Sequence, residues 1–168
     1  MFTAKIIGAT GYGGIGIIEL LLRHPNVKIQ TLVAKESAGT VLSDLYPHLL
    51  GFCDMPVVDP ESEAAREPAD IVFFSTPDRV GMYGARAELE QGAKVIDSSG
   101  DFRANTVEDY AEYARRIGKD PVHASPDLLV ESVYGAAELH RKELNPERRI
   151  VGNPGCFAIS CILGLAPA

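Results

Sequence analysis

No apolar stretch in this sequence reaches the roughly 18 residues that a membrane-spanning helix needs, and we predict no membrane contact. The first strand-like run starts at Thr3, so we expect no signal peptide. Basic residues are not in excess either: the net charge is -7 and no basic patch stands out, which argues against nucleic-acid binding. A site for a small anionic ligand is compatible with this charge, because it needs only a few local donors.

Cysteine is also scarce. Three cysteines, an odd number without paired spacing, do not indicate a disulfide framework, and a cytoplasmic protein is expected. Cys161 lies in an apolar helical stretch and is expected in the core, while Cys53 lies in a loop and is interpreted as incidental. Cys156 has a more distinctive setting. No metal site is predicted.

What the sequence does contain is a regular alternation of strand-like and helical segments. The continuous apolar run at 71–74 is typical of a parallel strand covered on both faces. Strands alternating with helices predict parallel pairing with right-handed crossovers, and therefore a Rossmann-type doubly wound α/β fold. Strands are expected near 3–7, 28–34, 55–58, 71–74, 94–96 and 149–151, and helices near 13–24, 61–67, 81–91, 107–117 and 156–165. We assign 1–152 to an NAD(P)-binding domain and 153–168 to a turn and the helix after it.

A glycine cluster follows the first predicted strand. Gly11, Gly13 and Gly16 match the dinucleotide fingerprint G-x-G-x-x-G literally, but this register begins three residues after the strand ends. Gly8, Gly11 and Gly14 place a glycine directly at the end of the strand, where a sharp turn aims helix N–H groups at a pyrophosphate. We prefer the second register. The alternative is a turn that serves only strand–helix packing.

The residues after the second predicted strand bear on the choice of cofactor. Lys35 and Ser37 are positioned to hold a 2′-phosphate, which favours NADP over NAD. Glu36 between them is acidic, and an acidic residue at this position is typical of NAD binding, which weakens the prediction of NADP. The alternative is that all three are solvated loop residues. In the glycine turn itself, the Thr10 hydroxyl is a further donor for phosphate.

Cys156 follows the turn Asn153-Pro-Gly155 at a junction between strand and helix. A sulfur in the first turn of a helix faces the positive end of the helix dipole, which favours the nucleophilic thiolate. Free N–H groups of the same turn are suited to stabilise an oxyanion. The alternative is a small core residue, although the carboxyl edge of a parallel sheet is where ligands bind.

Together these motifs resemble the N-acetyl-γ-glutamyl-phosphate reductases of arginine biosynthesis. The resemblance covers essentially the whole chain, and the last motif is its most specific part. The matching segments are Gly8-Ala-Thr-Gly-Tyr-Gly13, Ser43-Asp-Leu-Tyr-Pro-His48, Asp97-Ser-Ser-Gly-Asp-Phe-Arg103, Val133-Tyr-Gly135 with Glu138-Leu139, and Asn153-Pro-Gly-Cys156.

The resemblance implies a mechanism. Cys156 attacks an acyl phosphate, phosphate leaves, NADPH reduces the thioester, and a semialdehyde is released. Arg103 is implied as the anion anchor, with Asn153 and Gly155 on the substrate side, although Arg103 is alternatively a loop-bracing residue. The implied NADP(H)-binding residues are Gly8, Thr10, Gly11, Tyr12, Gly13, Lys35, Ser37, Ser75, Thr76, Pro77, Ser98 and Ser99.

The length of the chain departs from the family. The family's second domain carries a histidine acid/base, much of the substrate site and the oligomer interface, and it has no counterpart in these 168 residues. We expect structural roles for all four histidines, little activity for this chain alone, and a homo-oligomer for the full-length protein. The alternatives are a nucleotide-binding module without catalysis, and a reductase of aspartyl phosphate or of carrier-bound glutamyl or aminoadipyl phosphate.

Overall fold

A computed structural model describes residues 1–167 and contains a seven-stranded sheet. The strands are β1 (Phe2–Ile7), β2 (Val27–Val33), β3 (Val57–Val58), β4 (Ile71–Phe74), β5 (Lys94–Asp97), β6 (Ser132–Tyr134) and β7 (Ile150–Gly152). The helices are α1 (Tyr12–Leu21), α2 (Leu42–Leu45), α3 (Glu63–Arg66), α4 (Gly81–Glu90), α5 (Val107–Arg116), α6 (Ala137–His140) and α7 (Cys156–Leu165).

All the paired strands run parallel, in the order β3-β2-β1-β4-β5-β7-β6. The chain first builds outward from β1 through β2 to β3, and then returns to β4 on the other side of β1. The predicted doubly wound α/β fold is therefore confirmed. In such sheets, ligands bind outside the carboxyl ends of the strands at the switch point, which here lies between β1 and β4.

Side chains alternate between the two faces of the sheet and build one apolar cluster on each. Ile6 and Phe73 belong to the cluster beneath α1, whereas Ile7 and Phe74 belong to the cluster beneath α4 and α5. Both faces of the central strands are thus covered, as the continuous apolar run at 71–74 predicts. Of the helices between residues 1 and 167, none is long and apolar enough to cross a membrane.

Several elements differ from the expectations. The segment between α5 and β7 forms the 3₁₀ turn Pro126–Glu131, strand β6 and helix α6, none of which was predicted. Each is too short to show a clear period in the sequence. Helix α1 ends at Leu21 rather than near residue 24, and β3 has only two residues.

One of two structurally placed cysteines, Cys161, differs from expectation. Cys53 is buried in the cluster beneath α1, and burial raises the pKa of its thiol. Cys161 was expected in the core and is exposed, so this prediction is wrong. The reason is that α7 contributes no buried residue, despite its apolar sequence.

A charged pair is buried between β1 and α4. Lys5 of β1 is fully buried, and its Nζ lies 2.9 Å from both carboxylate oxygens of Glu88. Lys5 alternates with the apolar residues of β1 and so faces α4. Taking both charges out of water is costly, and each depends on the other for compensation.

We predict that Glu88→Ala lowers the free energy of unfolding by about 3–5 kcal/mol, because it leaves the Lys5 ammonium buried without a partner. Urea unfolding followed by circular dichroism measures the change. Glu90→Ala, at an exposed position of the same helix, is the control and should have little effect. The double variant Lys5→Met/Glu88→Leu should recover most of the loss. Equal effects of Glu88→Ala and Glu90→Ala would contradict the prediction.

Candidate functional site

The turn between β1 and α1 depends on two glycines. Gly8 has a φ of 84°, and a Cβ there would lie 2.1 Å from the carbonyl oxygen of Ser75. A Cβ on Gly14 would lie 2.3 Å from the carbonyl oxygen of Gly8, whereas one on Gly16 would meet no atom within 4 Å. The sharp turn therefore begins at Gly8, and Gly14 packs against its carbonyl oxygen. This agrees with the register Gly8, Gly11 and Gly14 that was preferred from the sequence.

The start of α1 presents unsatisfied donors at this turn. Gly11 is the N-cap residue, no side chain caps the helix, and its first turn contains no acidic residue. The first N–H groups of an α-helix have no partner within the helix, so they are available to an anion. The Tyr46 hydroxyl donates to the Thr10 carbonyl oxygen at 2.7 Å and holds the turn from outside.

A cleft of about 540 Å³ opens beside this turn, between the loops that follow β1, β2 and β4. Seven of the predicted cofactor-binding residues line it: Gly8, Thr10, Gly11, Lys35, Ser75, Thr76 and Pro77. The Thr76 hydroxyl oxygen is buried and has no hydrogen-bond partner within residues 1–167. A close-approach glycine turn, open N–H groups and an unpaired hydroxyl are features that a dinucleotide would use.

The other predicted cofactor residues lie outside the lining of this cleft. Tyr12 is 99% exposed, and the Cα of Gly13 faces the Ser75 side chain. Ser37 and Ser98 are partly buried but do not line the cleft. Ser99 is buried: its hydroxyl donates to Asp97 Oδ2 at 2.7 Å and accepts from the Asp101 N–H at 3.1 Å, so it braces its own loop.

Arg103 connects this loop to the turn before Cys156. Its Nε donates to the Asn153 carbonyl oxygen and its Nη2 to the Ser98 carbonyl oxygen, both at 2.8 Å. Its Nη1 lies 3.2 Å from where a Cβ on Gly155 would be. Arg103 thus joins the loop to the turn, with Nη2 on the loop, Nε on the turn and Nη1 beside Gly155. It also lines a second cavity of about 450 Å³, together with Asn105, Tyr113, Tyr134 and His140.

Cys156 is the first residue of α7 and is exposed. Gly155 is the N-cap residue in an extended conformation, without a side-chain cap and with no acidic residue in the first turn. The Asn153 N–H donates to the Asp97 carbonyl oxygen at 2.7 Å, which ties the turn to the end of β5. The thiol therefore stands at an open helix N-terminus on the same sheet edge as the cleft.

Asp97 is a buried carboxyl group that the sequence reasoning did not single out. It ends β5, its Oδ2 accepts from Ser99, and its Oδ1 has no partner within residues 1–167. Burial, reinforced by the nearby Asp101 charge, raises the pKa of Asp97 to about 7. An acidic residue at the end of an apolar strand was the available signal.

The four histidines make local contacts with other residues. His123 is buried, and burial lowers its pKa, so it is neutral at pH 7. Its Nδ1 accepts from the Ser125 N–H, which leaves Nε2 to donate to the Asp101 carbonyl oxygen at 3.0 Å. His48 and His140 pair with surface glutamates, and His24 Nδ1 accepts from the Asn26 N–H. Between residues 1 and 167, no group of three His, Cys, Asp or Glu side chains is placed to hold a metal ion.

Comparisons with known proteins agree with the fold. Residues 3–146 match the family model for the semialdehyde dehydrogenase NAD-binding domain. N-acetyl-γ-glutamyl-phosphate reductases from Acinetobacter baumannii strain AYE and Thiobacillus denitrificans are 38% and 39% identical over 99% of this chain. The crystal structure of aspartate semialdehyde dehydrogenase II from Vibrio cholerae superposes over 99% of the chain with a TM-score of 0.71 at 23% identity, which shows a shared fold. The chain spans about half the length of these proteins, 46% to 47% of each.

We predict that Gly14→Ala and Gly16→Ala have opposite effects. A Cβ on Gly14 collides with the Gly8 carbonyl oxygen, so that variant should be destabilised and should lose affinity for nucleotide. A Cβ on Gly16 meets nothing, and alanine should stabilise α1 there by up to about 1 kcal/mol. Urea unfolding and NADPH fluorescence titration measure both effects. A destabilised Gly16→Ala beside a tolerated Gly14→Ala would favour the literal G-x-G-x-x-G register instead.

We also predict that Asp97 makes stability depend on pH. Its pKa is about 7 in the folded state against an ordinary value of 3.8. Between these values the unfolded chain releases the proton while the folded chain keeps it. The free energy of unfolding should therefore fall as pH rises from about 4 to 7, by up to about 1.4 kcal/mol per pH unit.

Urea unfolding across this pH range tests the prediction. Asp97→Asn should remove the slope, whereas the exposed control Asp44→Asn should keep it. Parallel profiles for the wild-type protein and Asp97→Asn would show that another group is responsible.

Proposed function

Because this chain belongs to the family of semialdehyde dehydrogenase NAD-binding domains, we propose that it provides the cofactor site and the nucleophile for the reduction of an acyl phosphate to a semialdehyde. The observation that carries the proposal is the position of Cys156. Cys156 is the first residue of α7, and its thiol lies at the sheet edge that also carries the glycine turn and the cleft. A nucleophile and a hydride donor must meet at one carbonyl carbon, and the shared sheet edge of the two proposed sites supports the proposal.

The cofactor we propose is NADP(H), bound across the cleft. The start of α1 would receive the pyrophosphate through its open N–H groups, and Gly8 and Gly14 give it room. Lys35 lines the cleft just after β2, where the adenosine ribose lies in this class of fold, and its ammonium suits a 2′-phosphate. The other half of the cofactor would extend past Ser75 and Thr76 toward β5 and the cysteine turn.

The chemistry begins at the sulfur. The thiolate of Cys156 attacks the carbonyl carbon of the acyl phosphate, the C–O bond to phosphorus breaks, and inorganic phosphate leaves from a thioester. The N–H groups of the first turn of α7 face the developing oxyanion, and Arg103 Nη1 is placed to attract the phosphoryl group. When bound, NADPH would supply the hydride that reduces the thioester. Cleavage of the C–S bond then releases the aldehyde and returns the thiolate, and one proton is taken up overall because phosphate leaves as HPO4²⁻.

The acyl group we propose is N-acetyl-γ-glutamyl. Support comes from the relatives named N-acetyl-γ-glutamyl-phosphate reductase, which match nearly the whole chain at 38–40% identity. The aspartate semialdehyde dehydrogenase structures share the fold at identities of 12–23%. Since these proteins are about twice as long as this chain, we expect these 168 residues alone to turn over little substrate.

We predict that Cys156→Ser in the full-length protein lowers kcat by at least about 1,000-fold, because a serine hydroxyl is a far weaker nucleophile than a thiolate at neutral pH. Cys161→Ser, five residues along the same exposed helix, is the matched control and should keep wild-type activity. NADPH oxidation with N-acetylglutamyl phosphate, and in parallel with aspartyl phosphate, measures both.

The same assay with NADH in place of NADPH tests the cofactor assignment. Preference for aspartyl phosphate would overturn the substrate assignment, and preference for NADH would overturn the cofactor assignment. An active Cys156→Ser variant, or nucleotide binding without turnover of either substrate by the wild-type protein, would overturn the proposed reaction.

A further inference from the structure

Two aspartates join the loops that follow β4 and β5 in a reciprocal manner. Asp78, in the loop after β4, accepts from the Gly100 N–H at 2.7 Å through Oδ1. Asp101, in the loop after β5, accepts from the Arg79 N–H at 2.8 and 3.0 Å and from the Met82 N–H at 3.0 Å. Each loop thus gives a carboxylate to the backbone of the other. We call this pair, Asp78 and Asp101 with these contacts, the carboxylate clasp.

The clasp holds the loop after β4 in a conformation that its sequence does not favour. Arg79 has a φ of 77°, the left-handed value that side chains other than glycine rarely adopt. Its N–H is bound by Asp101, and its guanidinium is bound by the Asp120 carbonyl oxygen and carboxylate. The carboxylate of Asp101 also accepts from the Met82 N–H in the N-terminal turn of α4. This turn is therefore less available to an anionic ligand than the open N-terminus of α1.

The clasp also connects the two halves of the proposed site. On one side, the loop it holds begins with Ser75, Thr76 and Pro77, which line the cleft. On the other side, the loop after β5 contacts the cysteine turn, through the Asp97 carbonyl oxygen to the Asn153 N–H and through Arg103 to the Asn153 carbonyl oxygen. The position of the cleft relative to Cys156 therefore depends on how these two loops are joined.

We propose that Asp78 and Asp101 are positioning residues, which set the distance between the cofactor cleft and Cys156 by clasping the loop after β4 to the loop after β5. This inference rests on the proposed function. Neither carboxylate lines the cleft, and both act through backbone N–H groups. Hydride transfer requires the reacting atoms to approach within about 3–3.5 Å, and a misplacement of about 1 Å costs on the order of 100-fold in rate.

Asp101→Asn in the full-length protein replaces a carboxylate that accepts from two N–H groups with a weaker neutral acceptor. We expect kcat to fall about 10- to 100-fold. The KM for NADPH should change by less than about threefold, since the glycine turn and Lys35 are untouched. With deuterated NADPH, the kinetic isotope effect on kcat should rise, because hydride transfer becomes slower than the other steps. A loss of folded protein alone would lower kcat without changing the isotope effect.

A second measurement requires no turnover. In a Cys161→Ser background, we expect saturating NADP⁺ to slow the alkylation of Cys156 by iodoacetamide, because the proposed nicotinamide half lies beside the thiol. Asp101→Asn should lose part of this shielding even when the cofactor is saturating. Asp127→Asn is the matched control: this exposed carboxylate pairs with Arg86 of α4 but not with its N-terminal turn. It should keep the wild-type isotope effect and shielding.

Asp78→Asn provides an independent test from the other loop, and it carries the test if Asp101→Asn does not fold. It should change both readouts in the same direction but less, because Asp78 accepts from one backbone N–H and Asp101 from two. Wild-type isotope effect and shielding in the folded variants would overturn the inference alone. A wild-type protein that neither reduces an acyl phosphate nor shows shielding would overturn the proposed function and this inference with it.

Discussion

The loop between β5 and Arg103 is the part of the structure on which the rest of the site depends. From one strand end it reaches the loop after β4 through Asp101 and the cysteine turn through Asp97 and Arg103. The sheet places the strand ends along one edge but leaves the loops beyond them free to move. Hydrogen bonds from this loop fix the loop after β4 and the cysteine turn relative to each other. The glycine turn is held differently, by close backbone approach at Gly8 and Gly14.

The elements predicted well from the sequence are those with long or continuous patterns. The apolar run of β4 and the helix from Cys156 to Leu165 have the expected bounds. The elements that were missed, β6 and α6, have three and four residues, and their formation depends on pairing with β7 and on neighbouring loops. Parallel order followed from alternation alone, because right-handed crossovers leave few other topologies.

Within the site, the sequence indicated backbone features better than side-chain roles. The preferred glycine register followed from requiring a sharp turn at the end of a strand, and the structure begins the turn at Gly8. Contacts that depend on distant parts of the chain were not predictable. Ser99 turns inward to Asp97, Arg103 uses two nitrogens on carbonyl oxygens, and Cys161 lies on a helix that packs no side chain into either apolar cluster.

Burial also affects the charge of the carboxyl groups near the cysteine turn. The chain is acidic, and two buried carboxyl groups, Asp97 and Asp101, lie behind the turn, where a thiolate and a phosphoryl group would meet unfavourable negative potential. Burial reduces this conflict, because a pKa of about 7 keeps Asp97 partly neutral at physiological pH. Asp101 stays compensated by backbone N–H groups at the start of α4. Arg103 binds the Asn153 carbonyl oxygen and lies beside Gly155, so its positive charge adds to the positive end of the α7 dipole at the cysteine turn.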